Sequence, residues 1–250
     1  MELNNRLHGI FEEKAGAVTV ETLCMGLGYT AVTTSDGGIG ISYTCFEHKK
    51  SCSLNKNYRD YEGLPASELL QEIRSTDTLR RSMALALINA LNYEYALSLP
   101  EDKKNNVMFD SLGVGQGTRV AMVGFFGPLM RIFEERGADL QVIDASKHIG
   151  QKADFYDRLR NWAEVLFLTS TSVLNNTTEE VLGAAGDGVK TVMLGPSTPM
   201  IPQAFEMLPV RMLAGTVPVE KAQVLKVIRH GTGTPVIQRF SKKVFCACTD

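Results

Sequence analysis

The 250-residue sequence is short of several things, and each shortage closes off a class of function. No apolar run approaches the roughly 18 residues that a bilayer-crossing helix needs, so no membrane partner is expected. The opening residues, MELNNRLHGIFEEKAG, lack the basic-then-apolar order of a secretory signal, and a cytoplasmic location is expected. There is no basic excess. The 26 Lys and Arg stand against 28 Asp and Glu, a formal net charge of −2, whereas a protein that tracks phosphates carries surplus positive charge; no nucleic-acid partner is expected. Cysteine is sparse and odd in number, and Cys24, Cys45, Cys52, Cys246 and Cys248 read as reduced thiols rather than a disulfide framework. Cys246-Ala-Cys248 would put two thiolates on one face of a strand. Zinc usually takes four ligands, however, and no second close pair or His-x-x-x-His partner is present, so no metal site is assigned. Internal repeats and low-complexity tracts are lacking too.

What is present is the composition of a soluble globular protein, 44% hydrophobic and 22% charged, with length enough for one large domain or two small ones. Residues 17–24 (AVTVETLC) read as a strand. YTAVTT and IGISYT flank Ser35-Asp36-Gly37-Gly38, a strong hairpin signal because glycine turns without strain. PASELLQEI and TLRRSMALALINALNYEYAL read as helices, the second about five turns long and apolar on more than one side. A meander followed by helices makes a small α+β domain, expected over residues 1–104, and the charged stretch Glu101 to Asn106 marks its end. Over residues 105–250 the texture changes. RVAMVG, DLQVID, EVLFLT, TVMLG and VRMLAG read as strands without polar alternation, separated by helices of about three turns. That pattern predicts a doubly wound, Rossmann-like parallel sheet covered on both faces, and an α/β fold overall.

Ligands of such sheets bind beyond the carboxyl ends of the strands, so the residues just after each strand are the candidates. After the first comes Gly124-Phe125-Phe126-Gly127-Pro128, and Asp144 stands twenty residues beyond Gly124 at the end of the next strand. This is the outline of a ribose- and phosphate-holding turn. The fingerprint is broken: Phe126 replaces the glycine that lets backbone approach a pyrophosphate, and Pro128 has no N–H to give. The break argues against a typical NAD site. It leaves S-adenosylmethionine, or another nucleotide without a tightly gripped pyrophosphate, as the cofactor class Asp144 admits. Asp144 reads equally as a cap for the ASKH segment.

After the third strand, residues 169–178 (TSTSVLNNTT) carry more hydroxyls and amides than capping requires, which suits a polar ligand. After the fourth comes Gly195-Pro196-Ser197-Thr198-Pro199, where two prolines stiffen the presentation of two hydroxyls. A nucleophilic serine needs a base, and nothing in the sequence puts His148 or His230 beside Ser197, so binding is the better reading. In the first domain Asn89 and Asn92 lie one turn apart on a helix and must find partners, Asn89 across the domain junction and Asn92 on a neighbouring loop. Arg80 and Arg81 read as solvated charge.

Asn89-Ala90, VAMVGFFGP, the Thr-Ser-Thr loop with Asn175, LGPSTPM and a late Leu-Ala-Gly together resemble the bacterial and archaeal family described as "putative heavy-metal chelation". The resemblance runs over nearly the whole chain, with Gly-Pro-Ser-Thr-Pro its most specific part. It implies an enolase N-terminal-like domain before the Rossmann-like one and a pocket where they meet. It also implies that Gly124, Pro128, Thr169, Thr171, Asn175, Gly195, Pro196, Ser197, Thr198 and Pro199 line that pocket. Arg229-His230-Gly231-Thr232-Gly233 departs from the family's glycine-rich run near the last helix. The activity implied is condensation or hydrolysis of precursors of pterin-, flavin- or siderophore-like chelators. The alternatives are a non-catalytic binder of a metal chelate and an S-adenosylmethionine-dependent methyltransferase. The catalytic residues and the substrate are not identifiable from the sequence, and a homodimer is only the base-rate expectation.

Overall fold

The computed structural model describes residues 2–46 and 58–248, so Cys52 falls outside it. The first element is one the sequence reading does not anticipate: a helix, α1 (Glu2–Ala17). Leu3, Leu7, Phe11 and Ala15 recur every four residues and are all buried, the spacing that stacks side chains on one helix face. His8 is buried on the same helix, and its ring nitrogens have no good hydrogen-bond partner among the described residues. Burial lowers the His8 pKa, with help from the Arg74 charge and against the pull of Glu12 and Gln71. A histidine depressed in the folded state is protonated first in the unfolded chain, so stability falls as pH drops through the ordinary value near 6.5 and levels off below the folded value. Urea titrations between pH 8 and 5 should show this loss in the wild type and less of it in His8→Leu; equal slopes would contradict it.

Three antiparallel strands follow, β1 (Val20–Met25), β2 (Tyr29–Thr34) and β3 (Ile39–Tyr43). The expected turn joins β2 to β3, with Asp36 Oδ1 accepting from Thr34 Oγ1 at 2.6 Å and from Gly38 N at 3.2 Å. Next come α2 (Ala66–Leu70), a 3-10 turn and α3 (Thr78–Leu91), which lies across β2 and β3. Asp77 caps α3 by accepting from Leu79 N at 2.8 Å, a contribution of about 1 kcal/mol. The expected five-turn helix breaks at Asn92, and α4 (Tyr93–Ser98) restarts beyond it. Arg81 corrects the solvated-charge expectation: it is only 4% exposed, and its guanidinium donates to the carbonyls of Leu174 and Ser75. Arg80 pairs with Glu72 at 2.9 Å.

The second sheet has six strands in the order β5-β4-β6-β7-β8-β9. They are β4 (Arg119–Val123), β5 (Asp139–Ile143), β6 (Val165–Thr169), β7 (Lys190–Leu194), β8 (Met212–Pro218) and β9 (Ser241–Ala247). The first five are parallel; β9, which the sequence reading omits, runs antiparallel along β8. In chain order this is 2-1-3-4-5, the flavodoxin-type winding with one strand added, rather than the dinucleotide-binding order. The strands are apolar throughout because both faces are covered. Val120, Met122 and Phe167 meet α5 (Asn106–Leu112) and α6 (Gly127–Arg136) through Phe109 and Phe133. Ala121, Leu166 and Met193 face the other way, onto α7 (Lys152–Asn161) and, past the short α8 (Thr171–Asn175), α9 (Thr178–Ala184). That second core is continuous with the apolar side of the N-terminal sheet and its helices. The chain closes with α10 (Lys221–Arg229) and α11 (Thr234–Ile237) before β9.

One polar atom is stranded in this core. Thr191, in β7, is 1% exposed and its hydroxyl has no partner among the described residues. Thr191→Val keeps the shape and removes the unsatisfied group, so it should raise stability by about 1 kcal/mol. Chemical denaturation reads this directly, and a loss of stability would overturn it.

Candidate functional site

The strand order reverses between β4 and β6, and their connections leave in opposite directions. A crevice opens there at the carboxyl edge. Two glycines let the loops close up around it. Gly124 has φ +87°, and a Cβ there would lie 3.0 Å from the Thr169 Cβ; Gly195 has φ +130°, and its Cβ would lie 2.7 Å from Ser170 Oγ. Any side chain at either position would meet both a conformational and a steric penalty. The loops after β4, β6 and β7 therefore sit side by side, tied by Ser170 N donating to Leu194 O at 2.9 Å.

A cavity of about 410 Å³ lies over these loops, within the size range of small-molecule sites. Phe125, Phe126 and Pro128 form one wall, Thr169, Thr171, Gly195, Pro196 and Ser197 the floor, and β8 with β9 the opposite side. Tyr29 and Tyr43 close it from the N-terminal sheet. They are cross-strand partners whose rings meet edge to face at 6.0 Å, and Tyr29 Oη bonds Thr234 Oγ1 at 2.6 Å. Burial raises the Tyr29 pKa, so the phenol stays neutral at ordinary pH.

The expected residues divide in two. Pro128, Thr169, Thr171, Gly195, Pro196 and Ser197 line the cavity. Asn89, Gly124, Asp144, Asn175, Thr198 and Pro199 do not line it. Ser197 Oγ accepts from Tyr43 N at 2.7 Å, and Asn89 Nδ2 donates to Ile41 O at 2.9 Å and Ser197 O at 3.3 Å. The proline-bracketed loop is thus pinned to β3 and α3, and Ser197 is only 1% exposed. Thr198 Oγ1 turns back to Gly195 O at 2.8 Å, and Pro199 follows it away from the cavity. Asn92 also crosses between the two sheets, donating to Met200 O at 2.7 Å. Asn175 is exposed and accepts from Thr177 N and Oγ1, a local turn away from the cavity.

Asp144 acts as a staple. Its Oδ1 accepts from Ser146 Oγ at 2.6 Å and Lys147 N at 3.1 Å, and its Oδ2 accepts from Phe125 N at 2.9 Å. Burial pulls its pKa up, but these hydrogen bonds outweigh it and hold the carboxyl below its ordinary value. Both oxygens accept hydrogen bonds from the protein, so the capping reading describes Asp144.

Several lining residues carry no signal in the sequence reading. Lys243 is the chief one. Lys242 Nζ is held outside by the carbonyls of Leu97 and Leu99, and strand alternation sends Lys243 to the opposite face, into the cavity beside its β8 partner Thr216. Burial lowers the Lys243 pKa despite the nearby Asp102 charge. Asp102 Oδ2 accepts from Met108 N at 2.9 Å. Thr234 and Gln238 enter from α11 and the turn after it.

A bare metal ion does not fit this donor set. Among the described residues no three His, Cys, Asp or Glu side chains gather to hold one. The cavity's own charges are one ammonium and one carboxylate already hydrogen-bonded to backbone. The thiols of Cys246 and Cys248 are both pushed up to about 12, by burial and, for Cys248, by its neighbour, which disfavours the thiolates that bind metals. Among the described residues, no helix is long and apolar enough to cross a membrane.

Comparison with known proteins gives the same architecture. Residues 107–247 match a family described as "Putative heavy-metal chelation", and residues 9–92 match a second family of that description. A protein of unknown function from Pyrococcus horikoshii, 18% identical, superposes with a TM-score of 0.81 over 99% of this chain and 100% of its own. One from Desulfitobacterium hafniense, 19% identical, gives 0.74 over 96% and 99%. An uncharacterized protein of Methanocaldococcus jannaschii is 22% identical over 97% of this chain and 95% of its own. The chain belongs to the family described as "Putative heavy-metal chelation" that residues 107–247 match.

Proposed function

We propose, from that membership and from the cavity, that the protein binds one small, flat organic molecule where the two sheets meet, and that this molecule is a metal chelator, its precursor or the loaded chelate. The observation that carries the proposal is the cavity's construction: a crevice of about 410 Å³ at the carboxyl edge, walled by Phe125, Phe126, Tyr29 and Tyr43 and floored by hydroxyls. Aromatic walls suit a ring system, and the few polar groups fix its orientation. A metal would enter as cargo inside such a molecule, since the donor set does not suit the bare ion.

Binding without covalent chemistry is the reading the residues favour over condensation or hydrolysis of precursors. The Ser197 hydroxyl is taken up by Tyr43 N, and no histidine lines the cavity among the described residues. The methyltransferase alternative drew on Asp144 and the sheet, and it is less favoured because Asp144 already accepts from Ser146 Oγ, Lys147 N and Phe125 N and Phe126 stands at the turn. The test is thermal unfolding with a panel of planar aromatic acids and phenols, each free and iron-loaded. At least one class should raise the wild-type Tm and leave a cavity-filled Thr216→Trp variant unmoved. No shift with any class, or equal shifts in both proteins, would reject the proposal.

A further inference from the structure

We infer that Lys243 is the anion-recognising residue of the cavity and that its ligand is a monoanionic carboxylate carried on an aromatic or heteroaromatic ring. The inference rests on the reading of the cavity as a small-molecule site and names the chemical class of its ligand.

Three observations converge on it. Lys243 is the one Lys, Arg or His among the residues lining the cavity. Its ammonium makes no hydrogen bond or ion pair among the described residues, while the neighbouring Lys242 is satisfied by two carbonyls outside. And it is half-buried in a cavity whose lining includes Met108, Phe125, Val244 and Phe245, so part of its water is lost without replacement. A long cationic side chain held this way is normally paired, and here the pairing is left for a guest. Asp102 acts on Lys243 as a nearby charge without a hydrogen bond or ion pair to it, and one of its oxygens accepts from Met108 N.

The geometry also limits the anion. A phosphate dianion calls for several donors or an Arg fork, whereas a single ammonium matches a single negative charge. Apart from Asp102 and the amides of Asn105 and Gln238, the rest of the lining is apolar or hydroxyl-bearing, so the group behind the charge is a ring that lies against Phe125 and the Tyr29–Tyr43 pair. Burial depresses the ammonium's pKa and a bound carboxylate would raise it, so binding takes up protons at pH values between the two. The titratable groups facing Lys243 are Asp102 from the α4–α5 connection and Tyr29 and Tyr43 from the N-terminal sheet.

The probes are 2-naphthoate and its neutral isostere 2-naphthamide, titrated calorimetrically into wild type and Lys243→Met, which keeps the apolar stem. Wild type should bind the acid about tenfold or more tightly than the amide, and the preference should vanish in Lys243→Met. The wild-type preference should also shrink as pH rises through the lysine's depressed pKa, because only the ammonium holds the anion. Equal affinities in wild type, or a preference that survives in Lys243→Met, would overturn the role of Lys243 while amide binding upholds the cavity. If neither probe binds, the cavity reading falls and this inference with it.

Discussion

Gly40→Ala should leave little or no folded protein. β3 crosses α3 so closely that a Cβ at position 40 would lie 2.2 Å from Ala86 O, 2.2 Å from Ala90 N and 2.5 Å from the Asn89 carbonyl carbon. These are backbone atoms of a helix, with no flexible end that could yield. The strand must move off the helix or the helix must bend, and the cost should exceed about 4 kcal/mol, a large part of the 5–15 kcal/mol that holds a typical domain together. The damage also reaches the site, because Asn89 links Ile41 O to Ser197 O at this crossing. Soluble yield and the circular dichroism melt report the outcome. Gly9→Ala is the control: it lies in α1 with nothing within 4 Å of the added Cβ, and should stabilise by about 0.5–1 kcal/mol. A Gly40→Ala protein that melts with the wild type would show that the crossing is looser than described.

Thr216→Trp should abolish ligand binding, by about a hundredfold or more, and leave the fold standing. Thr216 sits on β8 opposite Lys243, with its side chain at the cavity wall. A rigid strand position gives an indole no easy route out. It grows into open space rather than into the packed side of the sheet, so the usual overpacking cost should be small. Affinity should fall because the indole takes the volume that a planar guest needs against Phe125 and Tyr43. Calorimetry with 2-naphthoate, beside a melting curve within a few degrees of wild type, checks both halves of the expectation. Retained binding would move the ligand elsewhere.

Much of the second sheet was legible because both its faces are covered. Strands such as VLFLT and TVML are then apolar without interruption, and the helices between them keep their own periodicity. The loops at the carboxyl edge were legible for the same reason, since the winding of such a sheet says where the crevice lies. What escaped depended on tertiary placement. Ser-Lys-Lys-Val at the start of β9 carries no signal of its own in the sequence, and the anchoring of Lys242 outside turns Lys243 inward. Arg81 has the residue type of a surface, but carbonyls of Leu174 and Ser75 draw it into the junction. Tyr29 and Tyr43 are ordinary strand residues until the N-terminal sheet is laid over the Ser197 loop. The case of α1 differs, because Leu3, Leu7, Phe11 and Ala15 carried a readable four-residue period. Asn175 and Thr198 mark the limit on the other side: polar residues after a strand are as often spent on their own loop as on a guest.

The central claim is that the cavity between the two sheets carries a small organic molecule. Native mass spectrometry of freshly purified wild type and Thr216→Trp tests it most directly. The account predicts one small molecule per wild-type chain, with any metal inside that molecule, and none on Thr216→Trp. The same added mass on both proteins, or a metal bound to wild type with no organic partner, would contradict it.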